Sequence, residues 1–344
     1  MSAHAENNFN LLRLVFALMV VIYHGVILPS AAGSTAAEGW AAILAEVGVQ
    51  GFFVVSGYLV WASLKRSSSL RLYAEKRVRR LYPAYAAVVI ACAFLAVAFV
   101  PAARADLAGV ASYLGWNLVF LNFLEPGLPG VFEANRFTEI NGALWTLKIE
   151  VMFYIILPVL AWLLRAAGRR RWVLIAVIYV AAEAWRWWFT RMAATEPGVW
   201  LEVSRQLPGQ MSFFIGGIAL CAWHDKLNWR SALPLAGLAL FAVSVVIREA
   251  EFVRAAGLAI LVGWVAVGMP RVVDAARFGD LSYGLYLVHF PIIQTVIALG
   301  FFASSPMPGI VVAGVASLMA ALLLWWMVER PALRADSLYR NAAR

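Results

Sequence analysis

Charge is scarce in this sequence. Only 14% of its 344 residues are Asp, Glu, Lys or Arg, against roughly a quarter in an ordinary soluble domain. That supply cannot cover a water-facing surface, which excludes a soluble globular protein. Cysteine is scarcer still. Cys92 and Cys221 are the only two, both inside apolar stretches, so neither a disulfide framework nor a cysteine-based metal site can be built. His24 and His289, the two histidines within apolar segments, are far apart in the chain, and with one intramembrane carboxylate they lack a metal-ligand spacing. Repeats of 20–50 residues and low-complexity tracts are missing, and no soluble appended domain is expected. A cleavable leader is not expected either. The first apolar block, about Leu11 to Leu28, is longer than a leader's apolar core and has no convincing cleavage site.

What is present is apolar: 63% of the residues are hydrophobic. They fall in blocks about as long as the roughly 20 residues a helix needs to cross a ~30 Å hydrocarbon core. Many of the 15 Trp and 11 Tyr stand near block ends, where aromatic belts meet the membrane interface. The expected fold is therefore all-α, a polytopic transmembrane helix bundle. The expected spans are 11–29, 47–65, 83–103, 142–165, 172–190, 209–224, 231–248, 254–270, 280–302 and 309–328, in a single domain covering residues 1–344.

The formal charge of +9 does not point to nucleic acid, because the cations sit in short connectors, as control of topology requires. Lys65, Arg66, Arg71, Lys76, Arg77, Arg79 and Arg80 mark one cytoplasmic connector, and Arg165 with Arg169, Arg170 and Arg171 mark another. Both can be cytoplasmic only if the apolar stretch 107–124 does not fully cross. That stretch is expected to be a short, tilted or re-entrant helix, tolerated where protein covers it. Lys226 with Arg230, Arg271 with Arg277, and a tail with Arg330, Arg334, Arg340 and Arg344 then fall on the same side. Ten spans with both termini cytoplasmic result, or eleven if 107–124 crosses.

Ionisable residues inside spans are costly and by default face a bundle interior or a watery cavity. Arg13 and His24 share one face of the first span, ~16 Å apart along the axis. A bland account has Arg13 snorkelling to the inner interface and His24 as a satisfied structural histidine. Glu150 lies about two turns into its span. Lys148, two positions away, cannot share its face, so its partner must come from another helix. His289 lies two residues before Pro291, and proline frees carbonyls that such a histidine could bond. Tyr73, Arg77 and Arg80 are spaced i, i+4 and i+7, which suits a forked anion site or plain topology control. Glu183 and Arg186, among Trp185, Trp187 and Trp188, read as an interfacial pair. His4 and His224 attract no role.

These contexts gain meaning together. Asn10 to Arg13 continuing to Val21-Ile-Tyr-His24, the run Gly51-Phe-Phe-Val-Val-Ser56-Gly57, and the basic stretch Tyr73 to Tyr85 come first. Asn141-Gly-Ala-Leu-Trp145-Thr-Leu-Lys-Ile-Glu150 with Phe153-Tyr154, Phe213-Phe-Ile-Gly-Gly217, Ser282 to Pro291, and Glu329-Arg330-Pro331 follow in order. In that order, from about residue 7 to 331, the chain resembles acyltransferase family 3. The resemblance implies a membrane-bound O-acyltransferase of the bacterial cytoplasmic (inner) membrane. It would move an acyl group, most often acetyl from acetyl-CoA, to a sugar hydroxyl of a polysaccharide, glycolipid or oligosaccharide, with no tightly bound cofactor.

Under the resemblance, His24 is the expected general base, with Glu150 orienting the imidazole. Ser56 is an oxyanion donor or an acyl carrier. Arg13, Arg77 and Arg80 would hold the CoA phosphates, and Tyr73, Tyr154 and His289 would line the donor or acceptor sites. Two rivals use the same buried charges. One is a proton-coupled exporter of a sugar or lipid, although no paired broken helices mark two halves. The other is a non-catalytic subunit of an envelope-polymer complex, in which His24 and Glu150 would tolerate neutral replacement.

Overall fold

The computed structural model describes residues 7–30, 36–273, 275, 279–303, 305–334 and 337. His4, Arg277, Arg340 and Arg344 lie outside the described residues. Among the described residues there are helices and no strands. In chain order they are α1 (Phe9–Ile27), α2 (Ala36–Arg66), α3 (Leu70–Phe99), α4 (Pro101–Ala105), α5 (Leu107–Leu118), α6 (Trp145–Ala166) and α7 (Arg171–Thr195). Then come α8 (Trp200–Ser204), α9 (Leu207–Trp223), α10 (Leu233–Val246), α11 (Arg254–Gly263), α12 (Leu281–Ala298), α13 (Pro306–Leu324) and α14 (Arg330–Ala332).

Eight helical runs are long and apolar enough to cross a membrane, starting at Phe9, Ala37, Leu70, Gly142, Gly168, Glu249, Leu281 and Pro306. Ile155 is 71% exposed, Phe94 69% and Phe99 78%; apolar side chains turned outward in this way suit a lipid solvent. The protein is thus a multi-pass membrane protein. The stretches 209–224 and 231–248 coincide with α9 and α10, whose 17 and 14 residues extend only ~25 and ~21 Å. The stretch 107–124 contains the 12-residue α5, about 18 Å long. Asp106 caps it by accepting from Gly109 N at 2.9 Å.

Two helices begin well before their apolar blocks. α2 starts at Ala36 because Glu38, buried in its first turn, is held by Arg136 at 3.0 Å. α3 starts at Leu70 and runs through Pro83, so the basic stretch is helical and continuous with the span.

The chain divides into two compact units. One comprises Met1–Arg13, Val49–Ala74 and Ile149–Val273; the other comprises Leu14–Gly48, Glu75–Lys148 and Asp274–Arg344. In the first, α9 is the core helix, buried along most of its length. Phe214 stacks on Phe153 with ring centroids 3.8 Å apart and meets Phe53 at 4.8 Å. Glycine lets the backbones of α2 and α9 touch. A Cβ on Gly57 would stand 2.2 Å from Phe214 O, and one on Gly217 would stand 2.0 Å from Val54 O. The Ser-Gly and Gly-Gly pairs are therefore the two sides of one crossing, and the crossing fixes Ser56. In the second unit α12 packs along α13. Asn135 and Gln294 tie the connector before α6 to α12, the amide of Asn135 donating to Gln294 O at 3.0 Å.

Candidate functional site

Each unit carries a polar cluster that holds a candidate catalytic residue. In the second unit, His24 of α1 meets His289 of α12, with Nδ1 and Nε2 2.9 Å apart. His289 is fully buried, whereas His24 is half-buried. His289 Nδ1 lies 3.0 Å from Leu285 O. A carbonyl only accepts, so that nitrogen carries the proton and Nε2 of the neutral ring must accept. The bond between the rings is therefore donated by His24 Nδ1. His24 Nε2 is left with its lone pair, the form a general base needs. The edge of Phe290, at a centroid distance of 5.0 Å, confines the imidazole.

Pro291 leaves Leu287 O without a helical donor. Asn141, not the neighbouring histidine, satisfies it: its side-chain amide donates to Leu287 O at 2.8 Å. His289 bonds a carbonyl one turn behind it and keeps its other nitrogen for His24. The sequence offered no signal for this pairing, since 265 residues separate the two rings.

In the first unit, Ser56 of α2 donates to Glu150 Oε1 at 3.0 Å, and the hydroxyl of Tyr154, one turn further along α6, donates to the same oxygen. Among the described residues Glu150 makes no ion pair. Two hydroxyls hold its carboxylate, and Ser56 supplies the contact from another helix. The Ser56 proton points at a carboxylate, so an oxyanion-donor role would require the hydroxyl to turn. Tyr73 donates to Tyr154 O at 3.0 Å. That carbonyl is four residues before Pro158, a proline inside α6, and is the one it frees. Tyr73 thus buttresses the helix that carries Glu150.

The arginines divide. Arg80, 7% exposed, gives Nη1 to Glu329 Oε2 at 2.8 Å and Nη2 to Asp280 Oδ2 at 2.6 Å. Ser282 donates to the other oxygen of Asp280 at 2.7 Å. Both arms of the guanidinium fork are used inside the second unit, joining α3, the start of α12 and the turn after α13. Arg77 is half-buried on α3, and Arg13 is buried on α1. Glu183 and Arg186 are buried within the protein. They form a buried pair in which Arg186 also donates to Gly209 O at 2.9 Å. Asp280 and Glu329 complete the Arg80 clamp; Asp280 went unread in the sequence, and Glu329 entered only as part of a motif, with no partner assigned. No group of three or more His, Cys, Asp or Glu placed to hold a metal ion occurs among the described residues.

A family model described as an acyltransferase domain matches residues 6–326. The chain belongs to acyltransferase family 3. Curated relatives agree over nearly the whole length. Nodulation protein 10 of Rhizobium leguminosarum bv. viciae is 29% identical, covering 97% of this chain and 95% of its own. The O-acetyl transferase of Shigella phage Sf6 is 28% identical over 97% of this chain and 98% of its own. The exopolysaccharide production protein ExoZ of Rhizobium meliloti (strain 1021) is 27% identical over 85% and 90%. No solved structure matches the chain. The protein is a membrane-embedded acyltransferase.

Proposed function

We propose that this acyltransferase carries an acetyl group from acetyl-CoA to a hydroxyl of a cell-envelope or exported sugar, with His24 as general base. The observation that carries the reading is the bond order Leu285 O, His289, His24, which leaves Nε2 of a half-buried imidazole as the proton acceptor. The names of two relatives support the acyl group and the acceptor class: one is an O-acetyl transferase, the other an exopolysaccharide production protein. As the sugar oxygen attacks the thioester carbonyl, its proton passes to His24 Nε2. Collapse of the tetrahedral species expels the CoA thiolate, which takes the proton back. The imidazolium formed between these steps is stabilised through Nδ1–H on His289 Nε2.

On the family resemblance, Arg13 and Arg77 are assigned to the donor phosphates, which suit a guanidinium fork. Arg80 and Tyr73 are assigned to holding helices, because their polar atoms are engaged on protein groups. Glu150, with Ser56 and Tyr154, supplies the second polar centre and a negative charge held in a fixed place. The enzyme is placed in the bacterial inner membrane, with ten spans and both termini cytoplasmic, α5 not crossing.

The deciding experiment follows radiolabelled acetyl-CoA in membranes containing wild-type protein, His24→Ala or no protein. Label in envelope glycan or glycolipid with wild type alone is the expected result. Equal label with His24→Ala removes His24 from the chemistry, and label in none of the three, with folded protein present, refutes the donor or acceptor assignment.

A further inference from the structure

The first unit contains a cavity of about 1220 Å³ that acyl transfer as described does not use. Its rim carries Lys65, Arg165, Arg169, Arg171 and Lys226, and no acidic residue lines it. These cations come from the end of α2, the end of α6, the turn into α7, the first residue of α7 and the turn after α9. All five are exposed, and among the described residues none pairs with a carboxylate. Arg165 spends only its Nε, on Ala161 O at 3.2 Å, and Arg171 lies over the Trp172 ring at 5.0 Å. Topology control asks for cations in connectors. It does not ask that they converge on one concavity whose lining contains no carboxylate.

Below the rim the walls turn apolar, with Pro158, Ala161, Ile175 and Ile218, and Trp172 stacked on Trp223 at 3.7 Å. The cavity does not close over. Its lining includes Trp162 of α6, 62% exposed, and on α6 and α7 Val159 is 54% and Val173 64% exposed. Its volume exceeds the roughly 300–1,000 Å³ of an ordinary small-molecule pocket. We propose that the cavity binds an anionic membrane phospholipid of the phosphatidylglycerol class. Its phosphate is held by the arginine and lysine rim, and its chains lie along the outer faces of α6 and α7. Charge complementarity selects an anionic head over a zwitterionic one, because a choline cation would enter a ring of like charges. The open apolar wall selects a lipid over a soluble phosphate. The proposal stands apart from the acyl-transfer reading and does not need it to be right.

Native mass spectrometry of the detergent-solubilised full chain tests it, with phosphatidylglycerol, phosphatidylcholine and acetyl-CoA added separately and in competition. Phosphatidylglycerol should be retained and phosphatidylcholine should not. The Arg165→Gln/Arg169→Gln/Arg171→Gln variant should bind phosphatidylglycerol roughly a hundredfold more weakly, since each of the three cations near an anionic lipid contributes on the order of a factor of a few. Ala222→Trp fills the cavity without altering charge and should produce the same loss, which keeps the test decisive if the triple variant does not fold. Undiminished phosphatidylglycerol binding in Ala222→Trp overturns the proposal. So does displacement of phosphatidylglycerol by acetyl-CoA, which would assign the cavity to the soluble donor.

Discussion

Replacing His289 by Phe keeps an aromatic ring at a fully buried position on α12 and removes the side-chain acceptor that His24 finds on that helix. Without it, His24 Nδ1–H loses its bond, and the imidazole can turn over or adopt the other tautomer. The structural loss is that of a bond between a fully buried ring and a half-buried one, about 1–3 kcal/mol. The catalytic loss is larger in proportion. A positioned general base contributes roughly 10²–10⁴-fold to rate, and a base without defined orientation forfeits the lower part of that range. Turnover of acetyl transfer should therefore fall about a hundredfold, equivalent to ~2.7 kcal/mol at ~1.36 kcal/mol per decade. KM for acetyl-CoA should change little, because the histidine pair is not assigned to the donor phosphates. His289→Gln offers a side-chain oxygen to the same N–H and should recover part of the rate. The assay is initial-rate transfer from labelled acetyl-CoA in reconstituted vesicles, with melting of each variant measured in parallel. Wild-type turnover in His289→Phe, with protein folded, would refute the relay. A fall in melting temperature of equal size in the Phe and Gln variants, with no difference in rate between them, would reduce His289 to packing.

Other expectations follow from the same geometry. Arg80→Met strands the carboxylates of Asp280 and Glu329 inside the second unit. Removing one partner of a buried ionic cluster costs about 3–5 kcal/mol, so thermal unfolding should shift sharply; unchanged melting with a raised KM for acetyl-CoA would return Arg80 to donor binding. Gly57→Ala places a methyl 2.2 Å from Phe214 O, and overpacking of this kind costs about 1–3 kcal/mol. Chemical denaturation should show that loss, and full stability would mean the α2–α9 crossing relaxes freely. Glu150→Gln keeps an acceptor for Ser56 and Tyr154 but removes the charge. Melting should move by no more than about 1 kcal/mol equivalent, while transfer falls at least about tenfold if the negative charge is used; retained transfer would make Glu150 structural.

The helices were legible wherever an apolar block was the whole signal, because a membrane solvent imposes length and composition directly. All ten expected stretches contain helix. Starts were legible only where polarity changes with structure. α2 begins at Ala36 because Glu38 finds Arg136, and that partner is 98 residues away. α3 begins at Leu70 because basic residues form helix as readily as apolar ones, so charge marked the water boundary rather than the helix boundary. Residue identities at the site were legible from the ordered motifs, but their partners were not. Arg80 looked like an anion receptor because Asp280 and Glu329 lie 200 and 249 residues further on. The partners of Arg186 were not legible because Gly209 and Ser212, which bury it, belong to another helix.

A polar residue within a span serves structure or chemistry according to what its bonds leave over. No water in the hydrocarbon core repairs an unpaired group, so structural polar residues are consumed by protein partners. Tyr73 is spent on the Tyr154 carbonyl freed by Pro158, and Asn141 on the Leu287 carbonyl freed by Pro291. Arg80 spends both ends of its fork on carboxylates. By contrast, His24 commits Nδ1 and keeps Nε2, and Glu150 takes two hydroxyls on Oε1 while Oε2 receives no bond from any described residue. The consumed groups hold the helices that present the uncommitted ones: Asn141 secures α12, which carries His289, and Tyr73 secures α6, which carries Glu150. Both prolines therefore act through the carbonyls they free. Each leaves an acceptor on a site-bearing helix, and the side chain that fills it ties that helix to a second segment of its own unit.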